Sequence, residues 1–126
     1  MHWSPSNVYT RAEESELGEL AALIRRIPRA EPLVLMGDFN VPRDYRLFKE
    51  FSAATGLRDA LDGDTETTFN PDYAAIGPID QVLVGPGIEA TARVVFKDPV
   101  QLPDGETTYL SDHYGIEATL TSSTGN

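Results

Sequence analysis

Few side chains in this chain can do acid–base or metal chemistry, and their positions narrow the choice. There is no Cys, and His occurs twice, at His2 and His113, which excludes a disulfide framework, a thiolate zinc site and a three-histidine centre. Any metal must be held mainly by oxygen, which suits Mg²⁺, Mn²⁺ or Ca²⁺. The chain offers 20 Asp and Glu against 10 Lys and Arg, a net charge of −10, and most of these carboxylates read as a solvated acidic surface.

Two places stand apart from that surface. Gly37-Asp38-Phe39-Asn40 follows the apolar run Leu33-Val34-Leu35-Met36, so Asp38 and Asn40 fall at the carboxyl edge of a strand, where open α/β sheets bind ligands. In extended chain a carboxylate and a carboxamide two residues apart face the same way. The same residues could instead form a helix cap or an Asx turn. Asp80 lies within Pro78-Ile79-Asp80-Gln81-Val82-Leu83-Val84, where a lone charge among apolar neighbours is costly without a partner. Its best partner is His113, whose imidazole would gain a fixed tautomer and a raised pKa. A purely structural Asp–His pair is the alternative.

Three other motifs mislead. Gly85-Pro86-Gly87-Ile88-Glu89-Ala90 has dinucleotide-fold glycine spacing, but β-branched Thr91, Val94 and Val95 follow, so a hairpin is expected. Asp62-Gly63-Asp64-Thr65-Glu66 opens like a calcium loop but has Thr67 where Gly is needed and Tyr73 where the bidentate Glu belongs, so it reads as a solvated turn. Ser111-Asp112-His113 holds the letters of a hydrolase triad, yet adjacent residues of an extended chain point to opposite faces.

The elements that must position these groups come next. Between Thr10 and Ile27, Leu17, Leu20, Ala21, Ile24 and Ile27 share one helical face. Thr10 and Glu13 have capping-box spacing, Arg25 and Arg26 suit the negative end of the dipole, and Pro28 stops the run. Leu33 to Met36 reads as a strand covered on both faces. Asp44 is expected to cap a second helix burying Leu47, Phe48, Phe51 and Ala54, with Gly56 past its end. Leu61 to Pro78, rich in turn formers, reads as a long functional or binding loop. Ile79–Val84 and Glu89–Phe96 read as strands joined at Gly85-Pro86-Gly87, and Tyr114–Leu120 as a last strand. The fold class is therefore α/β, one domain over residues 1–120 with a frayed tail at 121–126.

Gly37-Asp38-Phe39-Asn40, then Ile79-Asp80, then Ser111-Asp112-His113 with Gly115, in this order, resemble the C-terminal half of the endonuclease/exonuclease/phosphatase superfamily. These are the metal-dependent phosphodiesterases that share the fold of pancreatic deoxyribonuclease. The resemblance runs from about Val8 to Leu120. It implies half of a four-layer α/β sandwich, with one mixed β-sheet and helices on one face. It also implies that Asp38 orients or deprotonates the attacking water, and that Asn40 hydrogen-bonds the phosphoryl group or helps order the metal site. Asp80 would orient His113, Asp112 would join Asp38 and Asn40 around Mg²⁺ or Mn²⁺, and His113 would donate to a non-bridging phosphate oxygen. Thr68-Phe69 matches a family position near the substrate, and His2 is expected to be the family's other catalytic His or a neighbour of it.

Family members are about twice this long, and their N-terminal half normally supplies an Asn and a metal-binding Glu. The expectation is a truncated domain whose uncovered apolar sheet face self-associates or pairs with a missing N-terminal half. Expected activity is hydrolysis of a phosphodiester or phosphomonoester; a catalytically silent fragment or a phosphate- or partner-binding module of the same fold is the alternative. An unrelated acidic α/β domain with structural Asp–His contacts is the third reading. The acidity favours small phosphoesters or lipid head groups over nucleic acid as partners. No apolar stretch is long enough to span a bilayer, and Met1-His2-Trp3-Ser4-Pro5 does not read as a signal peptide, so the protein is expected in the cytoplasm if Met1 is the true start.

Overall fold

A computed structural model describes residues 11–122. The apolar 3–4 spacing produces α1, Arg11–Arg25, which buries Leu17, Ala21 and Ile24. Thr10 of the expected capping box lies outside the described residues. Arg25 closes the last turn and its guanidinium donates to the Ala54 carbonyl across the helix pair at 3.4 Å. The second helix, α2, spans Arg46–Thr55 and buries Leu47, Phe48 and Phe51. Its N-cap is Tyr45, in extended conformation and with no side-chain cap, so Asp44 does not cap it as expected. Gly56 ends it in the left-handed conformation (φ 72°), its N–H donating to Ser52 O.

Every described strand pair is antiparallel, and the strands form three small sheets rather than the single mixed sheet expected. The first contains β1 (Val34–Asp38), β2 (Arg58–Asp59) and β3 (Asp80–Val84) in the order β1-β3-β2. The second pairs β4 (Ile88–Val95) with β7 (Gly115–Ser122), and the third is the hairpin of β5 (Val100–Gln101) and β6 (Thr107–Thr108). Gly85-Pro86-Gly87 therefore does not join a hairpin. Both edges of β3 are occupied by β1 and β2, so the chain leaving Val84 must cross to another sheet.

Both helices pack on the face of the first sheet that carries Leu35 and Leu83. Phe39, just past β1, meets Phe48 and Phe51 edge-on at centroid distances of 6.0 and 5.7 Å. The strand covered on both faces is β3, with Val82, Leu83 and Val84 buried. For β1 that expectation fails: among the described residues it is an edge strand, and Met36, on the side away from the helices, is 63% exposed. The final strand extends through Thr121 and Ser122, which pair with Glu89 and Ile88 although they were expected in the tail. Residues 123–126 lie outside the described part. Among the described residues no helix is long and apolar enough to cross a membrane.

Candidate active site

Antiparallel register places Asp38 directly opposite Asp80. Residues paired in this way project to the same face, and two like charges in that position repel. The arrangement favours positive charge between them, and His113 lies there. Its Nδ1 lies 2.8 Å from Asp80 Oδ2 and its Nε2 lies 3.7 Å from Asp38 Oδ2, so the imidazole sits between the two carboxylates.

His113 reaches this place through the long loop. Phe69 forms a β-bridge with His113, the Tyr114 N–H donates to Thr68 O, and the Asn70 N–H donates to Asp112 O, the last two at 2.7 Å. The Phe69 ring meets the imidazole edge-on at 5.1 Å. Thr68 is fully buried, and its Oγ1 accepts from the Asp80 N–H at 3.0 Å. It is therefore a positioning residue for both halves of the Asp80–His113 pair and is not exposed to a substrate.

Sequence reasoning missed Arg43 and Gln81, which are 2% and 1% exposed. The Arg43 guanidinium donates to Gln81 Oε1 at 3.1 Å, to Asp64 O at 2.9 Å and to Asp80 O at 2.8 Å. Gln81 Nε2 donates to Val41 O and Pro78 O. Together they tie the segment after β1 to the start of β3, the two places that carry Asp38 and Asp80. Burial pushes the Arg43 pKa down, opposed by the charges of Asp59, Asp64, Asp80 and Asp44. The signal that could have found this pair was Gln81, a polar residue alternating onto the same face as Leu83 in an otherwise apolar strand.

Desolvation by partial burial acts to lower the His113 pKa, but the hydrogen bond and charge of Asp80, with the charges of Asp38 and Asp112, outweigh it and the pKa is raised. A raised folded-state pKa stabilises the protein by an amount fully present below the unfolded value near 6.5 and lost as pH rises through the folded value. With a chelator present, wild-type stability should therefore fall from pH 6 toward higher pH relative to His113→Gln. Parallel urea-denaturation profiles for the two proteins across this range would contradict the assignment.

The ligand atoms of Asp38, Asp80 and His113 lie within 4.8 Å of one another. Asp112 is exposed, and its carboxylate is not part of that cluster. Asn40 does not continue the strand: its φ of 53° turns the chain, and its N–H donates to Asp38 Oδ1 at 2.8 Å. The Asx-turn geometry is present, and the expected extended alignment of the two side chains is not. It holds the Asp38 carboxylate by one oxygen. The Ser111 hydroxyl accepts from the His113 N–H at 3.0 Å, a local turn and not a triad. His2 lies outside the described residues.

Two carboxylates braced by an imidazole at the ends of adjacent strands suit the binding of a hard cation and a tetrahedral anion. A mannosyl-6-phosphatase of Bacteroides thetaiotaomicron shares this fold, with a TM-score of 0.69 at 20% identity over 92% of this chain and 48% of its own. A beta toxin of Staphylococcus aureus matches with a TM-score of 0.63 at 18% identity, covering 93% of this chain and 49% of the toxin. Sphingomyelinase C of Streptomyces griseocarneus matches with a TM-score of 0.53 at 21% identity, covering 84% of this chain and 44% of the enzyme. The chain thus spans about half the length of these structures. No curated protein matches the sequence. The model of the Endonuclease/Exonuclease/phosphatase family matches residues 1–113, and the chain belongs to that family.

Proposed function

We propose that this chain carries the Asp–His half of a divalent-metal-dependent phosphoesterase site, which hydrolyses a phosphodiester or phosphomonoester by in-line attack of water. The observation that carries the reading is the imidazole of His113 held between Asp38 and Asp80. Asp38 orients or deprotonates the water. Asp80 accepts from Nδ1–H of His113, which turns Nε2–H toward a non-bridging phosphate oxygen as negative charge builds there. Asp38, Asn40 and Asp112 are proposed as the oxygen donors for Mg²⁺ or Mn²⁺, a hard cation; of these Asp38 is in the observed cluster and Asp112 is outside it, and the imidazole is committed to Asp80. When bound, the metal supplies Lewis-acid stabilisation of the phosphoryl oxygens. His2 is proposed as a further catalytic group.

Hydrolysis of bis(p-nitrophenyl) phosphate and p-nitrophenyl phosphate with Mg²⁺ or Mn²⁺ tests this. Rates should fall to background on chelation and by on the order of 10²-fold or more in Asp38→Ala. Rates unmoved by both changes would refute the reading. A second reading, a silent phosphate- or partner-binding module, draws on the half-length match to the solved structures. Phosphate binding without turnover would favour it.

The open side of β1 also bears on partners. With Met36 63% exposed on a strand that is at the edge among the described residues, the chain is predicted to self-associate as its concentration rises. Sedimentation should show this, and Met36→Lys should suppress it; a monomer at all concentrations would contradict it.

A further inference from the structure

Beside His113 lies a cavity of about 360 Å³, walled by Phe96, Val100, Tyr109, Leu110 and Tyr114. Phe96 and Leu110 are 85% and 80% exposed. Single exposed apolar residues are ordinary, but these two line one concavity that shares a wall, His113, with the catalytic cluster.

The walls are held in place. Phe96 has a φ of 58°, a conformation that bulky residues rarely adopt, and this lays its ring over Gly115. A Cβ at Gly115 would come within 2.7 Å of that ring, so glycine is required for the approach. The Tyr109 hydroxyl donates to Asp72 Oδ2 at 3.1 Å, and its ring meets Tyr73 edge-on at 6.2 Å. Val100 is fixed by the β5–β6 hairpin.

The lining also has a sign. No Lys or Arg contributes to it, and Asp98 does. Apart from His113, which faces the phosphate site, a second phosphate or other anion would meet no basic side chain there.

We propose that this cavity takes the uncharged apolar group, aryl or alkyl, esterified to the phosphate that sits at Asp38, Asp80 and His113. It rests on the phosphoesterase reading above. A phosphoryl group against His113 has this pocket as its immediate neighbour, so an apolar substituent is drawn from water into it while a charged one is not.

Titration of the full chain with phenylphosphonate and with methylphosphonate in millimolar Mg²⁺, read by calorimetry, tests it without requiring turnover. Phenylphosphonate should bind roughly tenfold tighter or better. Leu110→Ser and Phe96→Ser, at exposed positions that the core does not need, should remove that advantage and leave methylphosphonate binding as it was. Equal affinities in the wild type, or an advantage that survives both substitutions, would overturn the pocket while the phosphate-site reading stands. If neither phosphonate binds, the underlying reading fails and the pocket with it.

Discussion

Replacing Asp80 with Asn should lower the turnover of phosphoester substrates by on the order of 10³-fold, with a much smaller change in KM. The carboxamide keeps the size of the side chain but loses the charge that accepts from Nδ1–H and raises the His113 pKa. Without that charge the imidazolium, the form in which Nδ1–H and Nε2–H both donate, is less favoured, and with it the hydrogen bond from Nε2–H to a phosphate oxygen. His113→Ala should cost at least as much, and the double variant little more than the worse single one, because the two side chains act as a unit. The contact at 2.8 Å makes this a strong test. Full additivity of the two substitutions in kcat would mean that the pair does not work together.

Arg43→Leu should destabilise the fold by about 3 kcal/mol, because it leaves Gln81 Oε1 and two backbone carbonyls without their donor. Arg43→Lys should be intermediate, since an ammonium keeps the charge but cannot span all three acceptors in the geometry of a guanidinium. Urea denaturation reads this as a lowered midpoint with an unchanged slope. A loss below about 1 kcal/mol in Arg43→Leu would mean that water replaces the guanidinium and that the buried network is not a brace. Because Arg43 grips the Asp80 carbonyl, the Arg43→Lys protein should also turn over more slowly while remaining folded under assay conditions.

How much of this was legible beforehand differs from residue to residue. The burial of Leu17, Ala21 and Ile24 in α1, and of Leu47, Phe48 and Phe51 in α2, follows from spacing, whereas Ala54, expected in the same stripe, is exposed near the end of α2. Helical period is a local property, visible within one or two turns. The pairing of Asp80 with His113 was legible for a different reason: a charge in an apolar strand needs a partner, and the chain has only two histidines.

Local pattern could not determine which strands pair. Ile79–Val84 and Glu89–Phe96 look like neighbours in the chain, yet β3 bonds to β1 and β2 while β4 bonds to β7. Only that long-range pairing sets Asp38 against Asp80, buries Thr68 behind them and closes Arg43 onto three acceptors from distant segments. Side-chain period records which face of an element is apolar. It carries no record of what that face or edge will meet, because the free energy that decides it comes from contacts between residues far apart in the chain, made only when the whole layer assembles.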